Sequence, residues 1–369
     1  MMIKNLNSLG VFGSASLNSV EIALINSDGI DISQIIKTSV VHYPENLALK
    51  IRALINQRNR SFAELENNIE VQKVRKEVSD FYVEVIKEFL NENQADIIGV
   101  DGLTVFCDAE NRCSYQIEDG SNIADGLQRQ IITHFHKADL LCCGQAAPLS
   151  PTFFNYLGQK IEKPALFIDL ETVCSLIYVN ETGELLAFDC APCLAMIEDW
   201  TFRHANMQTD YNGKLAITGK VHKQIVETML HHKILRKRPP KALDILCFSD
   251  KKEHLEGLTL EDGAATATNF IAEAIYQAAL NFLPAIPHNI FLAGEGTKNP
   301  SLVRFIKQCF APRNLQNITC FNTGFEHVGA IYTAFNAIRR TYGLPITFPS
   351  TTGVAEPLTG GEFYENKRK

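Results

Sequence analysis

Cys190 and Cys193 enclose an Ala-Pro pair between a strand-like run at 185–188 and a helix-like segment, the setting of a thioredoxin-type redox couple. The bland alternative is two buried thiols, since nothing nearby resembles the rest of a thioredoxin domain. Gly294 and Gly296 lie between a strand-like stretch at 289–293 and a helix beginning near Ser301. Strand, glycine turn and helix in that order suit a nucleotide, because exposed amides at a helix start favour anionic groups. Asp101-Gly102 and His134 each close a short apolar run, at 97–100 and 131–133, and polar residues at strand ends often line clefts.

These residues need elements to hold them. The opening reads as a hairpin, with apolar residues at 9–12, a small-residue loop Gly13-Ser14-Ala15-Ser16 and a second run at 20–25. Val71, Val74, Val78, Phe81, Val85 and Phe89 recur at three- and four-residue steps, which predicts one face of a long helix packed on that sheet. The hairpin theme returns with strands at 165–168 and 176–179 around a polar turn at 169–172, and two similar α/β lobes are expected rather than one large sheet. Thr259 with an acid three residues on marks the start of an Ala-rich helix running to Phe282, which Pro284 and Pro287 stop. Trp200 falls at an apolar helical position and reads as core. His231, His232 and His254 read as solvated surface, and Lys233 to Arg238 as a solvated helix end.

At 369 residues the chain is long enough for two cores, and its net charge of −7 argues against nucleic acid, which needs a basic face. No run approaches the ~20 apolar residues of a membrane helix, and the first twenty residues lack a signal-peptide pattern, so no membrane association and a cytoplasmic location are expected. Ten scattered cysteines then read mostly as small buried hydrophobes.

Several segments in order resemble one family, the anhydro-N-acetylmuramic acid kinases, from residue 9 to about 360. They include Leu9-Gly-Val-Phe-Gly-Ser-Ala-Ser-Leu-Asn-Ser-Val-Glu21, Gly99-Val-Asp-Gly-Leu-Thr-Val105 and Gly144-Gln-Ala-Ala-Pro-Leu-Ser-Pro151. Phe188-Asp-Cys-Ala-Pro-Cys193 with Trp200, Asp210-Tyr-Asn-Gly213, Gly294-Glu-Gly-Thr-Lys-Asn299 and Pro349-Ser-Thr-Thr-Gly353 extend the match. The resemblance implies a fold of the actin/hexokinase/Hsp70 type, two α/β lobes with ATP in a central cleft. The lobes are expected at 1–130, with 340–369 returning to the first, and 131–339. It also implies hydrolytic opening of the 1,6-anhydro ring of anhydro-N-acetylmuramic acid as the ATP γ-phosphate moves to O6, a step in cell-wall recycling, with Mg²⁺ offsetting phosphate charge. Family members pair as dimers, and a homodimer through the apolar helix around Ile331 to Ile338 is expected.

By the same resemblance Asp189 takes the place of the general base. Gly13, Ser14, Ser16, Asn18, Asp169, Thr172, Gly294, Gly296 and Asn299 fall on the nucleotide side. Asp101, Thr104, His134, His136, Gln145 and Pro148 fall on the amino-sugar side. Several positions depart from the pattern. Asn18 replaces a carboxylate, Glu171 and Thr172 replace glycines of the second phosphate loop, and Glu295 interrupts a triple glycine. His134-Phe135-His136 stands for Asp-Phe-Arg, Asp101-Gly102-Leu103 for His-Gly-Gln, and Ala242 to Leu246 for a stretch with arginine, so an arginine able to grip the lactyl carboxylate is missing twice. Three readings follow: an active anhydrosugar kinase, a catalytically silent relative that binds a ligand or protein, and a converted cleft. In the last, His134, His136, Cys143, Asp189, Cys190 and Cys193 hold a metal or the two cysteines do redox chemistry.

Overall fold

The computed structural model describes residues 4–13, 19–55, 62–245, 247–248 and 253–366. Apolar runs form β1 (Leu6–Gly13), β2 (Ser19–Ser27), β3 (Ile32–His42), β4 (Ile97–Asp101), β5 (Thr104–Asp108), β6 (Cys113–Gln116) and β7 (Ile131–Thr133). They are followed by β8 (Ala165–Leu170), β9 (Cys174–Val179), β10 (Leu185–Ala191), β11 (Asn289–Ala293), β12 (Asn314–Asn317) and β13 (Glu362–Tyr364). The chain divides into unit 1, Met1–Tyr156 with His327–Pro349 and Gly353–Lys369, and unit 2, Leu157–Glu326 with Ser350–Thr352. Unit 1 therefore also takes 131–156 and 327–339, which the sequence reading gave to the second lobe. The reason is pairing: β7 extends the sheet beside β4, and helix Val328–Thr341 packs on β1, β2 and β4.

The sheet of unit 1 has the order β13-β7-β4-β1-β2-β3 and that of unit 2 the order β10-β9-β8-β11-β12. Each is built alike. Three consecutive antiparallel strands lie on one side, and two later strands add in parallel beside the first of the three. The repeated hairpin in the sequence is thus the start of a repeated sheet, which antiparallel β13 extends in unit 1 only.

Close packing fixes unit 1. A Cβ on Gly10 would stand 2.0 Å from the carbonyl oxygen of Ala330, and one on Gly99 2.8 Å from the Ala337 Cβ, so the helix lies nearly on the sheet backbone. Every residue of that helix from Val328 to Ile338 is buried. The helix expected to form a dimer contact is instead internal: Ile331 and Ile338 face the core. Helix Ile69–Leu90 starts at Asn68, whose side chain accepts from the amides of Glu70 and Val71. Its apolar stripe is as expected except that Tyr82, not Phe81, is fully buried, and it packs against helices Glu45–Ile55 and Gly120–Leu127.

In unit 2 the Thr259 hydroxyl accepts from the Asp262 amide and opens helix Leu260–Phe282. Its alanines let neighbours approach closely: helices Cys193–Ala205, Lys214–Thr218, Lys223–Leu230 and Pro300–Phe310 all contact it. Trp200 is core, its ring against Gly263 and its indole N–H donating to the Leu260 carbonyl at 2.9 Å. Burial of such side chains contributes roughly 1.5–3 kcal/mol each. Lys233, Arg236, Lys237 and Arg238 are exposed as expected. His232 is not: it is buried with its ring 4.9 Å from that of Phe248, because the short helix Lys233–Arg236 folds back onto the core.

Candidate functional site

Asp189 lies on β10 at a bulge, where the register with β9 shifts and the strand is re-aimed. One carboxylate oxygen accepts from the Ser175 hydroxyl at 2.7 Å and the other from the Leu243 amide at 2.9 Å, while the Asp189 amide donates to the Lys241 carbonyl at 3.0 Å. The group is buried, and burial pushes its pKa up to about 6 against the pull of those two bonds and of the Lys241 charge. Lys241 is itself buried, its ammonium over the rings of Phe188 and Phe282 and donating to the Ile234 and Leu235 carbonyls, and burial lowers its pKa.

The other unit 2 candidates gather at the end of β8. The strand runs two residues further than the sequence suggested, so Asp169 sits in it opposite Ser175, and the turn is 171–173 with Thr172 buried. The first amides of helix Cys193–Ala205 serve this turn: Leu194 donates to the Glu171 carbonyl and Ala195 to that of Thr172. The Glu171 carboxylate accepts from the Glu295 amide at 3.2 Å. Gly294, at φ +82°, has no room for a side chain, since a Cβ would meet Glu171 and the Leu170 carbonyl at 2.8 Å, and Gly296 packs on Leu170 in the same way. Asn299 stands apart as a cap, its oxygen accepting from the amides of Ser301 and Leu302. Asp210 likewise accepts from Leu215 and Ala216, so the Asp210 to Gly213 match is turn geometry. Gly13 ends β1 in unit 1, where a Cβ would stand 2.2 Å from the Tyr82 hydroxyl. Ser14, Ser16 and Asn18 lie outside the described residues.

Unit 1 brings Asp101 and His136 together. Asp101 accepts from the Gln116 amide at 3.1 Å and the Tyr332 hydroxyl at 3.3 Å, and burial raises its pKa while His136, Gln116 and Tyr332 oppose the rise. Burial lowers the pKa of His136 and holds that of His134 down to about 4, so both rings are neutral at pH 7. His134 shares a 3.0 Å hydrogen bond with Tyr364. Beside them Glu118 is buried over Gly102 and accepts from the Thr133 hydroxyl, and burial pushes its pKa up to about 8. Thr104 begins β5 half-buried. Gln145 and Pro148 lie on a separate loop that Asp139 pins by accepting from the Ala146 amide at 2.8 Å. His134 and His136 also line a cavity of about 340 Å³ within unit 1.

The metal and redox expectations are corrected here. His134, His136 and Cys143 belong to unit 1 and Asp189, Cys190 and Cys193 to unit 2. Among the described residues no group of three or more His, Cys, Asp and Glu is placed to hold a metal ion. Cys190 lies within β10 and Cys193 opens the next helix, both free and fully buried, whereas disulfide exchange needs an accessible thiolate. Cys174 joins them, its thiol pushed up by burial and then by its two neighbours. Sequence reasoning missed Ser175, Lys241, Gln116, Glu118 and Tyr332. Ser175 alone had a signal, since pairing the two predicted strands places it opposite Asp189.

The family described as anhydro-N-acetylmuramic acid kinase matches residues 7–366 of the chain. The anhydro-N-acetylmuramic acid kinase of Paramagnetospirillum magneticum is 29% identical over 363 residues, covering 97% of this chain and 99% of that protein. That of Methylobacterium nodulans is 30% identical over 375 residues, covering 96% and 99%. Among solved structures, a ROK family glucokinase from Streptomyces griseus in complex with glucose and AMPPNP aligns over 90% of this chain and 99% of its own, at 10% identity and a TM-score of 0.44.

Proposed function

The chain belongs to the anhydro-N-acetylmuramic acid kinase family, and from that premise we propose that it carries out the family's reaction on 1,6-anhydro-N-acetylmuramic acid. Water loses a proton and adds to the anomeric carbon, the C1–O6 bond of the anhydro bridge breaks, and O6 takes the γ-phosphate of ATP with release of ADP. Asp189 is the proposed base for the water. The observation that carries the proposal is the state of this carboxylate: buried, held by Ser175 and the Leu243 amide, and with its pKa brought up to about 6. A base of that pKa is ionised at neutral pH yet basic enough to take a proton as the water attacks. Each carboxylate oxygen accepts one bond in the described structure and has a second lone pair for the water.

ATP and Mg²⁺ complete the proposal. When bound, Mg²⁺ offsets the phosphate charge, and it takes hard oxygen ligands, usually one or two carboxylates with water and phosphate. Asp169 and Thr172 are oxygen donors of that kind at the end of β8. Glu171 does not fit a bare phosphate, because its carboxylate occupies the Glu295 amide beside Gly294. That observation favours a second reading, a sugar-binding relative without turnover. The proposal places the protein in the cytoplasm as a homodimer, to be checked by light scattering. A phosphate-transfer assay with ATP, Mg²⁺ and the anhydro sugar separates the readings: turnover abolished in Asp189→Asn supports the kinase. Sugar-dependent thermal stabilisation without turnover supports the silent relative.

A further inference from the structure

The unit 1 cavity holds polar atoms that the fold leaves unsatisfied. Among the described residues, Arg75 Nε, Ser114 Oγ, Tyr115 Oη, Gln116 Oε1 and His136 Nε2 are all buried and without a hydrogen-bond partner, and all five residues line it. Buried polar groups are nearly always paired, so five orphans around one cavity point to a ligand that pairs them. Gln116 spends its amide nitrogen on Asp101 and the Gly102 carbonyl, which leaves an acceptor facing a ligand hydroxyl. The other four can donate to ligand oxygens. At the rim, Phe62 and Leu141 are exposed, and Phe62 meets Tyr115 edge-to-face at 5.7 Å, an apolar wall of the kind that covers a sugar ring. Among the described residues the charged lining is Arg75, Arg112 and Lys137 with Glu66, and Lys137 also pairs with Glu362 at 2.8 Å.

We infer that this cavity takes a hydroxylated small molecule bearing a carboxylate, and that Arg75 is the residue that reads the acid. Arg75 sits on helix Ile69–Leu90, outside the segments that carry the family resemblance. Only its Nη1 reaches Glu66, at 3.2 and 3.3 Å from the two oxygens, which leaves the Nε edge of the guanidinium for a second carboxylate. Its ring contact with Tyr115, 6.0 Å to the centroid, holds the fork at the cavity. His136, where the family pattern has arginine, is neutral and cannot supply the charge. The carboxylate-reading role has thus moved from the strand end to the neighbouring helix. On the kinase-family reading, on which this step rests, the acid is the lactyl carboxylate of the anhydro sugar, and Arg75 is a specificity residue for it.

Isothermal titration of the full chain tests this with 1,6-anhydro-N-acetylmuramic acid, 1,6-anhydro-N-acetylglucosamine, which lacks the lactyl group, and D-lactate. The wild type is expected to prefer the acidic sugar, and Arg75→Ala to weaken that sugar by about 10- to 100-fold, the loss of a charge-assisted hydrogen bond, while leaving the neutral sugar unchanged. Arg75→Lys should restore part of the preference, and Glu66→Gln, which frees the guanidinium, should not weaken it. Thermal unfolding of each variant separates misfolding from lost recognition. Equal loss for both sugars, or none, overturns the role of Arg75 and leaves the kinase reading standing. A wild type that binds neither sugar overturns both, and one that binds only D-lactate overturns the sugar assignment.

Discussion

Replacing Asp189 by Asn removes the charge while keeping the shape, and the structure says what should follow. The side chain can turn its oxygen to the Leu243 amide and its nitrogen to Ser175, whose hydroxyl can accept as readily as donate, so both contacts survive. The wild-type carboxyl has a folded pKa of about 6 against the ordinary aspartate value of 3.8. The folded state therefore holds this proton more tightly than the unfolded chain, and its stability falls as pH rises from about 4 to 6. The shift of ~2 units corresponds to about 3 kcal/mol. Urea denaturation at pH 4 and pH 7 should show Asp189→Asn gaining about 2–2.5 kcal/mol relative to wild type between the two, because at pH 4 the unfolded carboxyl is already partly ionised. In the phosphate-transfer assay the variant should lose at least about 100-fold in kcat, and wild-type kcat/KM should fall tenfold per pH unit below pH 6. A stability difference that does not change with pH, or a variant that keeps a kcat within about tenfold of wild type, would refute this reasoning.

Glu118→Gln should act in the same sense in unit 1. The wild-type pKa of about 8 means stability falls as pH rises through neutrality, so the variant should gain about 2–3 kcal/mol on wild type between pH 5 and 7, read by denaturant titration. Gly10→Ala forces a methyl into the Ala330 carbonyl and should cost about 1–3 kcal/mol, seen as a lower melting temperature. A thiol reagent should label exposed Cys142, Cys143 and Cys320 quickly, and Cys174, Cys190 and Cys193 only on unfolding. Rapid native labelling of Cys190 and Cys193, mapped by mass spectrometry, would revive the redox reading.

The elements were legible where a local period or a local stop decides them. β11 and β7 begin and end where their apolar runs do, and helix Leu260–Phe282 begins at its Thr259 cap and ends before Pro284. The repeated hairpin foretold the antiparallel part of each sheet, where strands pair with their neighbours in sequence, whereas the parallel strands β4, β7 and β11 join by crossovers that no local pattern announces. What remained hidden depends on contacts distant along the chain. Nothing local brings Tyr332 to Asp101, Glu118 over Gly102 or Arg75 beside His136. The helix read as a dimer face carried a signal that was misjudged: apolar residues all round it mark a helix enclosed by its own fold. In the candidate site, Asp189 was found through the family pattern, whereas its environment, which sets its pKa, came from Ser175, Lys241 and the Leu243 amide.

The most direct test is the reaction itself: purified full-length protein with γ-labelled ATP, Mg²⁺ and 1,6-anhydro-N-acetylmuramic acid, with the product identified by mass spectrometry. The account predicts a ring-opened sugar 6-phosphate that is absent with Asp189→Asn. Sugar binding with no phosphorylated product, from wild-type protein shown to be folded, would contradict it.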